Sequence, residues 1–377
     1  MRKSVYFDNS ATTIIKPPCV ITAVNSCISH FCANPGRASH KLSVVAARGV
    51  WWAREQVASL VGNRDASRII FTSGCTEALN LAIFGAIPVK SQVVTTVTEH
   101  NSVLRSLRLR EKRGEIKCVF APLDGGKITK RSILPHITNQ TSTVVVSAVS
   151  NVTGAINDIA EIGALCREKG LIFIVDGAQA VGHIGIDMQK TGVDLLAIAP
   201  HKGLHALPGV GALAVSDRAC LSPIRFGGTG SHSFNLSQPS GYPDGFEAGT
   251  VNLPGIMAFG RAAKEYNARR EEFEGRVKAL SRKLYEGLLD LQKDGRIKLY
   301  SSDSGLGIAA FSVRGSDSVT VADLLSERFG ICVRGGLHCA PLMHGALGTT
   351  DTGLVRVSLS RYNTEAEIEY FVNALRI

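Results

Sequence analysis

Ile172-Phe173-Ile174-Val175-Asp176-Gly177-Ala178-Gln179 sets four consecutive apolar residues directly before a carboxylate and a small-residue turn. So short an apolar run, closed by a turn signal, reads as a β-strand buried on both faces rather than one side of a helix. Working outward, similar runs recur at 68–72, 92–98, 117–121, 143–149, 194–199 and 210–215, with helix-like stretches between them at 76–86, 101–113 and 158–169. Asp158, followed three residues later by Glu161, predicts a capped start for the last of these helices. Strands alternating with helices predict an α/β fold built on a mostly parallel seven-stranded sheet. From 254 to 293 the chain turns helical and charged, and smaller units follow: strands at 308–313, 331–334 and 354–360, helices at 320–329 and 365–375. The expected division is a large domain over residues 16–255 and a smaller α+β domain formed by 1–15 and 256–377.

Composition narrows the function classes. Lys and Arg number 42 against 32 Asp and Glu, a formal charge of +10 over 377 residues, and such a field attracts anions without naming a partner. The densest basic run (Arg105, Arg108, Arg110, Lys112, Arg113) has the spacing of a solvated helix face, so no nucleic-acid partner is expected. Nine cysteines without a C-x-x-C pair fit neither a zinc site nor a disulfide framework, and point to a reducing cytoplasm with no bound metal. No run approaches the roughly 18 apolar residues of a membrane span, and the first residues lack a leader's apolar stretch, so a soluble, unexported chain is expected. Residues 226–245, rich in Gly, Ser and Pro without periodicity, read as a flexible loop near a site.

In open α/β sheets ligands bind outside the carboxyl ends of the strands. Those ends read Thr72-Ser73-Gly74-Cys75-Thr76, Glu99-His100, Ser150-Asn151, Asp176-Gly177-Ala178-Gln179 and His201-Lys202. The first is a small-residue turn into a helix, suited to a phosphate but also common for steric reasons alone. Asp176 can cap a helix, or hold a protonated heterocyclic nitrogen. Lys202, after an apolar strand, is placed to lose hydration and become nucleophilic, although an ordinary surface lysine fits the same sequence. Together the three describe a pyridoxal phosphate (PLP) site.

Val175-Asp176-Gly177-Ala178-Gln179-Ala180 and Pro200-His201-Lys202-Gly203 resemble the class V aminotransferase family of fold type I PLP enzymes, particularly its cysteine desulfurase and selenocysteine lyase branch. Supporting segments run through the chain: Tyr6-Phe7-Asp8-Asn9-Ser10-Ala11-Thr12-Thr13, Thr98-Glu99-His100, Ser150-Asn151-Val152-Thr153-Gly154, Phe246-Glu247-Ala248-Gly249-Thr250, Arg334-Gly335-Gly336-Leu337-His338-Cys339-Ala340-Pro341 and Val355-Arg356-Val357-Ser358. The resemblance implies pyridoxal 5'-phosphate as cofactor, with Lys202 as the Schiff-base lysine, Asp176 beside the pyridinium nitrogen, Gln179 donating to the ring hydroxyl oxygen and His100 stacked on the ring. It implies Cys75, Thr76 and His201 at the phosphate, Thr250 reaching the phosphate of a second subunit in a homodimer, and Asn151 and Arg356, with Arg334 nearby, holding the substrate. Arg356 also fits a salt-bridged strand residue. Ala199-Pro200 stand where the family usually has a hydroxyl residue, and Cys75 replaces a more usual phosphate-loop residue, so weaker phosphate contacts are expected.

Cys339 discriminates among reactions. A free cysteine is most often a small buried hydrophobe, and the other eight are read so. Cys339 instead sits in a loop-like segment beside His338 and near Arg334, surroundings expected to favour thiolate, and its position matches the nucleophile of desulfurases with a short catalytic loop. The expected activity is conversion of L-cysteine to L-alanine, with sulfur left on Cys339 as a persulfide for an acceptor, possible sulfur-acceptor proteins included. The alternatives are selenocysteine lysis, another class V reaction such as transamination, and a catalytically silent basic binding protein.

Overall fold

The computed structural model describes residues 4–36, 40–229 and 234–376. The N-terminal half of the chain runs β1 (Val5–Tyr6), α1 (Pro18–Ser26), α2 (Lys41–Leu60), β2 (Ile69–Thr72), α3 (Cys75–Ala86), β3 (Ser91–Thr96), α4 (Asn101–Lys112), β4 (Ile116–Ala121), α5 (Lys130–Ile133) and β5 (Thr141–Ser147). It continues through α6 (Ile159–Glu168), β6 (Ile172–Asp176), α7 (Met188–Thr191), β7 (Leu195–Ile198) and β8 (Gly211–Val215). The remainder is α8 (Leu253–Ala268), α9 (Arg270–Lys293), β9 (Ile297–Leu299), β10 (Ile308–Val313), α10 (Ser318–Phe329), β11 (Ile331–Cys332), α11 (Pro341–Leu347), β12 (Val355–Ser358) and α12 (Glu365–Ala374).

Seven strands form one sheet in the order β2-β8-β7-β6-β5-β3-β4. Only β8 runs against its neighbours, so six strands deliver their carboxyl ends to the same edge. Alternation explains the continuous apolar runs: Phe173 and Val175 of β6 enter one buried cluster with Val144, Val146, Leu196 and Ile198, while Ile174 enters the cluster on the opposite face with Val145, Leu195 and Ala197. Each such Val, Leu, Ile or Phe side chain, fully withdrawn from water, contributes roughly 1.5–3 kcal/mol, and a one-residue slip would exchange the faces. Register pairs Ser147 with Asp176 and Asp176 with Ala197, fixing where the carboxylate emerges.

A three-stranded antiparallel sheet, β12-β10-β9, and the pair β1-β11 frame a separate cluster around Phe7, Phe311 and Phe371, with the Phe7 and Phe371 rings edge to face at 5.6 Å. β1 pairs in parallel with β11 although over 300 residues separate them in the chain, so the N-terminal segment is held among C-terminal strands. No described helix is long and apolar enough to cross a membrane.

Local expectations need correction in three places. Arg110 is not on a solvated face: it is buried, paired with Glu115 at 2.8 Å and donating to the carbonyls of Ile83 and Ile87, while its basic neighbours on α4 are exposed. Asp158 occupies the cap position of α6 without capping it, because Lys127 Nζ holds its carboxylate at 2.8 Å. Only Cys27 and Cys166 are fully buried, and Cys32 and Cys220 are as open to solvent as Cys339. Exposure alone therefore does not single out Cys339. Of the loop at 226–245, residues 230–233 lie outside the described residues, and the exposed Phe226, Phe234 and Leu236 flank them.

Candidate active site

A cavity of about 360 Å³ opens at the carboxyl edge of the sheet, lined by the turn at Ser73, Gly74, Cys75 and Thr76 together with His100, Asn151, Asp176, Gln179, His201 and Lys202. Eight of the residues expected at the site thus converge there. Helix α3 starts at Cys75 and directs its first N–H groups at the cavity, an arrangement that attracts an anion. Gly211 of β8 lets that turn approach: a Cβ there would lie 2.5 Å from the Gly74 carbonyl carbon. Ala199 contributes no hydroxyl to the lining.

The electrostatics are those of a desolvated amine facing a carboxylate. Burial lowers the pKa of Lys202, and the neighbouring Asp176 opposes that shift. Asp176 Oδ1 accepts from the Ala178 N–H at 2.9 Å, and the Cys75 thiol lies 3.7 Å from the same oxygen. Burial, then the Asp176 charge, pushes the Cys75 thiol up, so it is a neutral donor turned toward Asp176 rather than a phosphate ligand. What residue 75 offers an anion is its backbone N–H at the start of α3.

His100 caps α4: the Ser102 N–H donates to Nδ1 at 3.1 Å. A backbone N–H can only donate, so Nδ1 is the acceptor and the neutral ring carries its proton on Nε2. Burial lowers the pKa of this imidazole and supports the neutral form. Beneath it Glu99 is fully buried, accepting from Thr96 Oγ1 and Ser147 Oγ, and burial raises it to about 7.

The N-terminal segment ties the site together, a function that its sequence alone did not reveal. Ser10 O accepts one N–H of Gln179 at 2.9 Å, which leaves the second N–H of that amide free and its Oε1 buried without a partner. His201 O accepts from Thr13 Oγ1 at 2.9 Å, and His201 Nδ1 lies 3.0 Å from Thr12 Oγ1. Burial, helped by the nearby Lys202, lowers the His201 imidazole to about 4. Asp8 pairs with Arg356 at 2.8 Å. A carboxylate, a desolvated lysine, an amide with an unused N–H and an orphaned oxygen, and a helix N-terminus are the donor set that a phosphorylated pyridine aldehyde requires, so the residues fit PLP.

Cys339 does not line this cavity but stands next to it. His338 and Cys339 have φ of 51° and 58°, the left-handed conformation at both central positions of a turn closed by Ala340 N–H to Leu337 O at 2.9 Å. The turn is pinned from both sides: the Asn101 N–H, beside His100, donates to Cys339 O at 2.8 Å, and Asn151 Nδ2 donates to His338 O at 2.6 Å. The thiol is left exposed. One expectation about its surroundings fails: His338 is buried, donates Nε2–H to Leu354 O at 3.0 Å, and is pushed by burial down to about 2. A neutral His338 supplies no positive charge to a thiolate. The nearby cations are Arg334 and Arg356, whose backbones pair with each other. Arg356 shows the salt-bridged strand geometry and also donates to the Asn151 carbonyl at 2.9 Å. Thr250 is outside this lining, exposed beside a second cavity of about 450 Å³ lined also by Pro35, Trp51 and Arg54, and it shares a smaller one of about 140 Å³ with Ser73 and Gly209 from the candidate site.

Residues 5–371 match the Aminotransferase class-V family. The chain belongs to the class-V aminotransferase family. A probable cysteine desulfurase of Methanothermobacter thermautotrophicus is 33% identical over 98% of this chain and 93% of its own length. The cysteine desulfurase IscS of Dechloromonas aromatica is 33% identical over 100% and 92%. Among solved structures, an apo cysteine desulfurase of Thermococcus onnurineus NA1 superposes with a TM-score of 0.90 at 29% identity, covering 99% of this chain and 94% of that one. The Escherichia coli cysteine desulfurase CsdA gives 0.86 at 27% identity, with coverage of 99% and 94%. These solved structures share the fold that sets this cavity at the sheet edge.

Proposed function

We propose that this chain is a PLP-dependent cysteine desulfurase. The observation that carries the reading is the exposed Cys339 on a doubly pinned turn joined to the helix that His100 caps, next to the Lys202–Asp176 cavity. The cofactor, when bound, supplies an electron sink that stabilises negative charge at the substrate α-carbon. Lys202 would hold it covalently, Asp176 would pair with its ring nitrogen, Gln179 would donate its free N–H to the ring oxygen, and the N-terminus of α3 with Thr76 and His201 would take the phosphate.

The chain's own residues then divide the work. Arg356 holds the α-carboxylate through its planar fork, with Asn151 and Arg334 beside it. Lys202 Nζ moves the α-proton, and the neutral His100, with Nε2–H available, would help hold the cofactor. The Cys339 thiolate attacks the substrate sulfur; the C–S bond breaks, that sulfur stays on Cys339 as a persulfide, and L-alanine is released. A thiol acceptor, small or on a partner protein, removes the sulfur. Incubation with L-cysteine and a reductant should yield alanine and sulfide in equal amounts. Alanine without sulfide, or no product, would move the chain to a different class V reaction.

Asp176→Asn is expected to leave the fold intact and reduce turnover. A carboxylate beside a cation shifts its pKa by about 1–3 units, so losing it should cost roughly 10- to 10³-fold. Steady-state rates with equal cofactor loading check this, and unchanged turnover would remove Asp176 from the mechanism.

The reading includes a homodimer in which Thr250 reaches the partner's phosphate. In support, Thr250 is exposed, and α2 leaves the apolar side chains of Leu42, Val44, Val45 and Trp51 open to solvent, surface that a second copy would cover. Sedimentation of the loaded protein should find a dimer; an active, PLP-loaded monomer would reject the shared site.

A further inference from the structure

Arg356 is 2% exposed, and its guanidinium is satisfied unevenly. Nη1 donates to Asn151 O at 2.9 Å and Nη2 to Asp8 Oδ1 at 2.8 Å, whereas Nε has no partner among the described residues. A guanidinium carries its five N–H donors in one plane. Two fixed contacts therefore define that plane and aim the remaining donors.

Backbone pairing places Asp8 where it can do this. Asp8 bridges Ser358 of β12, two residues beyond Arg356 and so on the same face of the strand. Arg334 bridges Arg356 along the same edge of β12, the opposite edge being taken by β10, and brings a second guanidinium whose charge opposes the first. Among the described residues Asp8 is the carboxylate paired with Arg356, and none forms an ion pair with Arg334. Removing Asp8 would leave a buried guanidinium without its counter-charge, and the geometry it fixes would be lost.

We infer that Asp8 is a positioning residue: by orienting Arg356 and balancing its charge, it sets how tightly the α-carboxylate of the amino-acid substrate is held. The inference rests on Arg356 as the carboxylate-binding residue in the proposed function. Asp8 acts through Arg356 and not on the reacting atoms.

In Asp8→Ala, KM for L-cysteine should rise roughly tenfold while kcat falls no more than about threefold, the pattern of lost uniform binding. Asp8→Glu keeps the charge but displaces the guanidinium, and should resemble Asp8→Ala. Asp8→Asn keeps the acceptor oxygen in place and should lose only about threefold, the partial rescue expected when hydrogen-bond geometry survives. A merely structural role would lower the melting temperature without changing KM of the folded protein. Titrating the loaded protein with L-alanine, followed by its visible absorbance, reads carboxylate binding without sulfur chemistry and should weaken by the same factors. If Asp8→Ala and Asp8→Glu bind L-alanine as tightly as the wild type, or more tightly, the inference is overturned even with desulfuration intact. If L-alanine distinguishes the variants as described while L-cysteine gives no alanine, the inference stands and the desulfurase reading fails.

Discussion

In Lys202→Ala the visible absorbance of lysine-bound pyridoxal should vanish and turnover of L-cysteine should fall by at least about 10³-fold, because one side chain supplies both the covalent attachment and the base. Lys202 lines the cavity and, among the described residues, no other lysine does. Burial has already lowered its pKa, which favours the uncharged nucleophilic amine. Lys16 is the nearest rival in character, since burial lowers it to about 8, but its Nζ donates to Thr13 O at 2.7 Å and Thr13 Oγ1 at 2.9 Å. Those bonds hold it outside the cavity lining. Borohydride reduction followed by peptide mapping checks the assignment: the wild type should carry the adduct on Lys202, and an adduct on Lys16 in the variant with activity retained would overturn it.

Cys339→Ser should separate cofactor chemistry from sulfur transfer. Neither cofactor loading nor the spectral change on adding L-cysteine uses the thiol, so both should persist in the variant. Alanine formation should fall by orders of magnitude, because a hydroxyl is a far poorer nucleophile toward sulfur than a thiolate. The turn imposes no added strain on this substitution, as both residues are L-amino acids in the same left-handed conformation at φ 58°. Selenocysteine, whose selenium leaves with less help, can retain activity without contradicting the scheme. Full alanine production from L-cysteine in the variant would assign the reaction to a route independent of Cys339.

Much of the sheet was legible because its strands are buried on both faces. Val144, Val145 and Val146 are all fully buried, so burial wrote an unbroken apolar run into the sequence. Helix α2 left no such mark: Leu42, Val44, Val45 and Trp51 face solvent, blurring the apolar stripe by which an amphipathic helix is recognised. β9 escaped because it has three residues, with Lys298 exposed between Ile297 and Leu299. Pro341 opens a short helix two residues after Cys339, where the sequence reads only as loop.

At the site, residues at strand ends were legible because the fold sends those ends to one edge. What escaped were contacts between distant segments. Nothing in the order Asp8, Ser10, Thr12, Thr13 announces that these residues meet Arg356, Gln179 and His201, because those meetings depend on β1 pairing with β11. His338 misled for a related reason: adjacency in sequence suggested a cation beside Cys339, whereas the left-handed turn sends the two side chains to opposite environments, one buried and one exposed.

The central claim is that sulfur passes to Cys339, and intact mass after brief exposure to L-cysteine tests it most directly. The account predicts a thiol-reducible gain of about one sulfur atom, mapped to the peptide containing Cys339 and absent from Cys339→Ser. A wild-type protein that makes alanine while the Cys339 peptide stays unmodified, or a gain that maps to Cys75, Cys32 or Cys220 and survives in the serine variant, would contradict it.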